Sequence, residues 1–387
     1  MSTNRFRGLN NVTDPVRLGL DWLVRADNVD ITNTGAIKKR TGYTQALTGS
    51  ITGAFSTFDF NRMYLVDSGA LKVMTSLNAA TTLKTGLASA QMYWAEINDQ
   101  VFFTNGIDSG IIRADNTVMD WRWTPPVAPV LSAASGSLPP GSYQVRLTFL
   151  LSDGRVTGAS ESAEIELGDR QSLQISAIPQ VTGAKTQVYI ALAGSTVYQF
   201  AGTATGTAMT WNAGPDNLGA DLLTAFDDPL PLGCDVIQFW RGRAYVAQFF
   251  PAENLTVVWF SEPLGFHLFD LSSDYISVPG RVLMLAKHDD ALLIGTELRV
   301  YAYDGEKLDE IAEYGVVPGW HDCDEPDRTL FWTTRGLCTA LPFTNLTERQ
   351  VSVAPGVRAG GTVVYANGQR RYLVSLQQGG SAFNALT

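Results

Sequence analysis

At 387 residues the chain is long enough to bury a large core, and its 45% hydrophobic fraction is that of a globular protein. The net charge of −10 is uneven, with seven basic and four acidic side chains in residues 1–40, net +3, and −13 on the remainder; an acidic body argues against ordinary nucleic-acid binding, which sets cations against phosphate. Three scattered cysteines (Cys234, Cys323 and Cys338) exclude a disulfide framework and suit a reducing cytoplasm, no apolar run is long enough for a membrane span, and residues 1–11 lack the apolar stretch of a signal peptide.

Residues 1–25 begin polar and become mixed. Asp14-Pro15 is a turn signal. Val16, Leu18, Leu20, Trp22 and Leu23 are apolar enough to dock, either on the body of this chain or on a neighbouring subunit. Residues 26–43 predict a hairpin, because Val29 and Ile31 alternate with polar residues and Asn33-Thr34-Gly35 is turn chemistry. Asp27, Asn28, Asp30 and Asn33 bring oxygen atoms together, without the spacing or the terminal Glu of an EF-hand.

A small unit then recurs: polar turn, apolar strand, short turn, apolar strand. It is clearest at 288–305 and returns at 60–74, 97–113, 240–260, 326–341 and 366–376. The first strand of each copy begins near Met63, Val101, Ala244, Leu292, Leu330 and Arg371, at intervals of 38, 143, 48, 38 and 41 residues. The long interval contains residues 125–229, and removing that 105-residue stretch leaves 38. A blade of four short antiparallel strands takes roughly 40–50 residues, so the spacing predicts an all-β chain forming a β-propeller of about six blades. The competing reading is a pair of β-sandwiches with accidental spacing. Thr34-Gly35-Ala36-Ile37 parallels Ser68-Gly69-Ala70-Leu71, so the N-terminal hairpin reads as half a blade and 362–376 as the other half. Joining the two termini would close the ring and remove exposed sheet edges.

Residues 44–124 read as two blades, with Tyr64, Tyr93, Trp94, Phe102, Phe103, Trp121 and Trp123 as core candidates. Thr124-Pro125-Pro126 is a rigid stop. In the next 105 residues Tyr143, Val145, Leu147 and Phe149 alternate with polar neighbours, Asp153-Gly154 marks a turn, and strand-like runs follow at 173–175, 187–190 and 197–200. The proline-rich entry and the Gly141-Ser142-Tyr143-Gln144-Val145 strand resemble a fibronectin type III β-sandwich. The expected division is a docking segment 1–25, a first propeller part 26–124, the inserted fibronectin III-like domain 125–229, and a second propeller part 230–387.

Catalytic signals are sparse. There is no P-loop, dinucleotide fingerprint, nucleophile elbow or HExxH. His321-Asp322-Cys323-Asp324-Glu325 is the one cluster with metal-ligating types, but a His-x-Cys pair is not standard zinc spacing, and a charged turn is the plainer reading. Asp289, Asp290, Asp304, Glu306, Asp309 and Glu310 are numerous enough to suggest a glycosidase, which needs two carboxyls across a cleft, yet all sit in turns where solvated acids are the norm. No enzyme, metal or cofactor is expected. The basic residues Arg5, Arg7, Arg17, Arg25, Lys38, Lys39 and Arg40, together with Trp22, are the candidate contacts to a second subunit or an adaptor, since self-assembly would bring them to the acidic body of a neighbour.

The run Ala26, Asn28, Val29, Asp30, Gly35, Ala36, Ile37, Arg40, Gly42, Tyr43 is similar to a motif near the start of bacteriophage tail proteins, and the later repeats resemble the nozzle, or tail tubular, proteins of short-tailed phages. The resemblance implies a structural virion protein made in the host cytoplasm. It would form a hexameric nozzle ring around the DNA ejection channel, dock to the tail adaptor or portal-proximal proteins and to a fibre or spike, and let genomic DNA pass non-specifically. This chain lacks the additional domains of the larger nozzle proteins, so gate loops and fibre docking do not carry over. The alternatives are a glycan-binding or glycan-cleaving propeller at a host receptor, motivated by the aromatic blade surface and the turn carboxylates, and an extracellular adhesion protein.

Overall fold

The computed structural model describes residues 5–32, 34–40, 42, 44–192, 195–325, 328–366 and 369–378. Asn33 of the expected turn, Tyr43 of the N-terminal motif and the tail 379–387 lie outside the described residues.

The chain opens with a parallel pair, β1 (Gly8–Leu9) and β2 (Trp22–Leu23), and the hairpin β3 (Val29–Ile31)–β4 (Ile37–Lys39). Two four-stranded antiparallel sheets follow: β5 (Ile51–Ser56), β6 (Met63–Asp67), β7 (Ala70–Ser76), β8 (Ala79–Lys84); then β9 (Tyr93–Ile97), β10 (Gln100–Thr104), β11 (Ser109–Ile112), β12 (Val118–Met119). Next come β13 (Val130–Leu138), β14 (Gly141–Leu151), β15 (Ala163–Leu167), β16 (Gln171–Ser176), β17 (Ala184–Leu192), β18 (Gln199–Thr203) and β19 (Met209–Trp211). The four-stranded pattern returns with β20 (Cys234–Trp240), β21 (Arg243–Phe250), β22 (Leu255–Phe260), β23 (Tyr275–Pro279), and with β24 (Val282–Lys287), β25 (Leu292–Thr296), β26 (Val300–Tyr303), β27 (Leu308–Ala312). After β28 (Gly319–Trp320), the strands β29 (Cys323–Glu325), β30 (Arg328–Thr333), β31 (Gly336–Ala340) and β32 (Thr344–Asn345) form a further sheet, and the hairpin β33 (Arg358–Ala366)–β34 (Gln369–Gln377) pairs with β28.

Tight turns make the repeated units. Ser68-Gly69 and Arg241-Gly242 have positive φ at both positions, 52° and 76°, and 45° and 75°. That geometry matches the right-handed twist of the flanking strands, and glycine adopts it without steric cost. Successive sheets bury their apolar sides against one another. Tyr64, Val66 and Leu71 meet Trp94, Val101 and Phe103 in one cluster. Phe102 and Trp121 join Phe239, Val246 and Ile294 in another. Leu293 and Val300 meet Phe331 and Cys338 in a third. Between sheets the joins are side chain to backbone: Thr104 Oγ1 donates to Cys234 O at 2.5 Å, Trp240 Nε1 to His288 O at 2.8 Å, and Thr329 Oγ1 to Lys287 O at 2.8 Å.

The all-β class is what the chain forms, as ten separate small sheets among the described residues. The closed propeller is not. Among the described residues no sheet closes on itself, and β3–β4 and β33–β34 do not share one: β3–β4 stands alone as a two-stranded sheet, while β33–β34 takes β28 as its partner. The ends meet through side chains, with Arg371 Nη1 3.3 Å from Asp30 Oδ2. The physical reason lies in the hairpin itself. Its strands are three residues long and Ile37, Lys38 and Lys39 are all exposed, so it has little apolar surface to bury in a shared blade. A spacing of strands reports how often a strand recurs, not which edge it pairs with.

The fibronectin type III expectation is also corrected. Residues from β13 to β19 form a three-stranded sheet in the order β13-β16-β19 and a four-stranded sheet in the order β15-β14-β17-β18, sharing a core of Val145, Leu147, Leu173, Ile175, Val188 and Trp211. The first two strands lie in different sheets, whereas an immunoglobulin-type arrangement places them in one. Alternation along β14 correctly marks its inward side chains, Tyr143, Val145, Leu147 and Phe149. It carries no information on the order of the strands.

Candidate functional site

The first strands of the repeated sheets converge. β20 lies beside β9 and β24, and β24 lies beside β28 and β29. Together with the end of β5 they wall a cleft of about 560 Å³, within the range of small-ligand sites.

Its apolar surface is aromatic. Phe55 on β5 stacks on the buried Trp94 of β9 at 6.0 Å and 16°, and Trp320 of β28 meets Phe55 edge-on at 6.0 Å and 82°. Phe58, just past β5, is 87% exposed at the rim. The Phe58 N–H donates to Glu96 Oε2 at 2.7 Å, so the same contact places an aromatic ring and a carboxylate together. Trp94 Nε1 is buried with no hydrogen-bond partner among the described residues, an unused donor in a cleft wall.

The polar surface comes from the other strands. Gln238 projects from β20, and Lys287 ends β24 with its Nζ 3.0 Å from Asp324 Oδ2. Asp322 and Asp324, two residues apart, both line the cleft. Burial pushes the Asp322 carboxyl up to about 7, and the charge of Asp324 adds to the rise. His321 between β28 and β29 points elsewhere. The Trp332 N–H donates to its Nδ1 at 3.0 Å, which leaves Nε2 to carry the hydrogen and donate to Val317 O at 2.6 Å. Burial brings its pKa down to about 4, so the ring is neutral and both nitrogens are engaged. The expected charged turn is thus two parts: a buried histidine that holds backbone, and two aspartates that face a ligand-sized space.

The glycosidase candidates lie apart from this cleft. Asp289 and Asp290 are exposed, and Asp304 caps its own turn by accepting from the amides of Glu306 and Lys307 at 2.9 and 2.8 Å. Lys307 pairs with Asp309 at 2.5 Å, and Glu310 pairs with Arg299.

The candidate subunit contacts cluster at the N-terminus. Arg7 pairs with Asp21 at 2.6 Å, Arg25 with Asp27, and Arg40 with Asp30 at 3.2 Å. Arg5, Arg17, Lys38 and Lys39 are exposed, and Trp22 is half-buried in β2. The segment is tied to this chain's own body: Asn11 Nδ2 donates to Ser352 O at 2.9 Å and Asn11 Oδ1 accepts from the Ser352 N–H at 2.7 Å. The docking side chains Val16 and Leu20 stay 91% and 70% exposed.

Of the cleft residues, Trp94 stands out in the sequence as a core aromatic and Asp322 and Asp324 as parts of a charged turn, whereas Phe55, Phe58, Glu96, Lys287 and Trp320 do not, because the recurring unit is registered on second strands, β6, β10, β21, β25, β30 and β34, and the cleft is built mainly from first strands. The signal for the first strands is spacing: Phe55, Trp94 and Gln238 lie six to eight residues before Met63, Val101 and Ala244.

No family model matches the chain, and no curated protein matches it. Among solved structures it is similar to the extracellular domain of the hybrid two-component system BT4673 from B. thetaiotaomicron, at 8% identity and a TM-score of 0.33, covering 86% of this chain and 37% of that one. It is also similar to PorZ, a surface component of the type-IX secretion system of Porphyromonas gingivalis, at 14% identity and a TM-score of 0.20, covering 81% and 49%. A third is AztD from Citrobacter koseri, at 7% identity and a TM-score of 0.27, covering 91% and 97%. The chain therefore spans less than half the length of the first two. The resemblance to tail nozzle proteins is not upheld, and the nozzle ring around a DNA channel goes with it. The motif that suggested it occupies the small, exposed β3–β4 hairpin, which closes no ring.

Proposed function

We propose that the chain is a glycan-binding module without hydrolytic activity, and that the cleft between the first strands is its binding site. The observation that carries this is the pairing of aromatic rings with carboxylates in one space: Phe55, Phe58 and Trp320 beside Glu96, Asp322 and Asp324. A sugar ring offers C–H groups on its faces and hydroxyls at its edge. The C–H groups pack on the electron-rich face of an aromatic ring, and the hydroxyls donate to carboxylates in hydrogen bonds stronger than neutral ones. The tethering of the carboxylates supports binding over cleavage. Glu96 accepts from the Phe58 amide and Asp324 holds Lys287, whereas hydrolysis asks for an acid and a base placed across one bond.

A glycan array followed by titration calorimetry tests the reading. Trp320→Ala is expected to weaken binding by roughly tenfold, the scale of a lost stacking contact. No reducing sugar should appear on long incubation. A chain that binds no glycan, or whose Trp320→Ala form binds as before, removes the proposal.

A further inference from the structure

We infer that the glycan this cleft takes carries protonated amines, an amino-sugar polymer rather than an N-acetylated or acidic one. The inference rests on the glycan reading above and adds the charge of the ligand. Glu96, Asp99, Asp322 and Asp324 all line the cleft, against the single cation Lys287 among the described lining residues. That lysine is already held 3.0 Å from Asp324. An acidic sugar would enter a field of like charge and meet a lysine already engaged by a carboxylate. A neutral acetamido sugar would pack on the rings and leave the carboxylate excess uncompensated. An ammonium group meets both kinds of wall, because carboxylates attract it directly and the faces of Phe58 and Trp320 attract it through their quadrupoles.

Two further features point the same way. The chain as a whole carries −10, and a cleft lined by one sign of charge concentrates counter-ions of the other. Asp322 is disfavoured as an anion first by burial and then by Asp324, and an ammonium beside it is the partner that would let it ionise. The amine also leaves the sugar hydroxyls available to Gln238.

The test is titration calorimetry on the full chain with chitosan oligosaccharides, chitin oligosaccharides of equal length and oligogalacturonate, at mildly acid pH where the amine is protonated. Chitosan is expected to bind roughly tenfold more tightly than chitin, and oligogalacturonate not at all. Raised salt and the isosteric Glu96→Gln change should both shrink the preference for chitosan, while Trp320→Ala weakens chitosan and chitin alike. Chitin binding as tightly as chitosan, and lost in Trp320→Ala, overturns the charge inference and leaves the glycan reading standing. Binding of none of the three overturns the glycan reading itself. Oligolysine binding as tightly as chitosan, with chitosan unaffected by Trp320→Ala, identifies a basic peptide as the occupant and overturns the amino-sugar inference.

Discussion

Asp322 couples the cleft to stability. Unfolded, an aspartate titrates near 3.8; folded, this one is pushed up to about 7 by burial. Between those values the folded chain keeps a proton that the unfolded chain has lost, so the group's contribution to stability is full below 3.8 and falls as the pH rises through about 7. Asp322→Asn removes the titration and keeps the shape. Its melting temperature should therefore fall less between mildly acid and mildly alkaline pH than that of the unaltered chain. Parallel curves for the two proteins would contradict the assignment. His321 has the opposite sign. With its pKa brought down to about 4 by burial, it costs stability as the pH falls from the usual 6.5 toward that value, so the two groups act with opposite slopes over nearly the same pH range and the comparison with Asp322→Asn is what isolates the aspartate.

Single side chains stitch the sheets together, and each stitch is a testable weak point. Arg155, in the turn after β14, donates through Nη1 to Trp121 O at 3.2 Å and through Nη2 to Asp120 O at 2.9 Å, and its Nε is 2.8 Å from Asp153 Oδ2. His267 Nε2 lies 3.0 Å from Val156 O across the same junction. Arg155→Ala is expected to cost about 2 kcal/mol, the scale of hydrogen bonds made by a charged donor. It should also open residues 122–130 to limited proteolysis while glycan binding stays as it was. Weakened binding in that variant would mean the cleft depends on the junction. At the chain ends the expectation is an upper bound. Asp30 meets Arg371 through its side chain and also pairs with Arg40, so Asp30→Ala removes two partly exposed ion pairs and should change stability by no more than ~2 kcal/mol in denaturant titration. A larger loss would show that the ends are joined more firmly than surface ion pairs allow.

The largest-scale prediction concerns the two sheets built from β13 to β19. The chain leaves for them and returns beside itself: Arg122 Nε donates to Leu230 O at 3.0 Å, and Asp228 and Phe269 exchange backbone hydrogen bonds at 2.8 and 3.0 Å. These sheets have their own core, and the cleft is lined only by residues outside them. Replacing residues 126–228 by a short Gly-Ser linker should leave a folded protein whose glycan affinity is within roughly threefold of the full chain. Loss of binding with retained β circular dichroism would show that the insert shapes the cleft from a distance.

Period and alternation made much of this architecture legible. The intervals between Met63, Val101, Ala244, Leu292, Leu330 and Arg371 locate repeated antiparallel units, and alternation from Tyr143 to Phe149 marks an inward face, because strands alternate faces and tight turns leave chemical signatures. The edges were not legible. Whether β3–β4 joins β33–β34, or β13 pairs with β14 or β16, depends on which apolar faces find cover, and no local pattern encodes that competition. The cleft was hidden for the same reason. Phe55, Glu96, Lys287 and Asp322 are spread over more than two hundred residues of sequence; the first three look ordinary in their own strands, and Asp322 reads as part of a charged turn. Only packing sheet against sheet brings first strands to a common centre, where aromatic faces and carboxylates of distant origin acquire a shared chemistry.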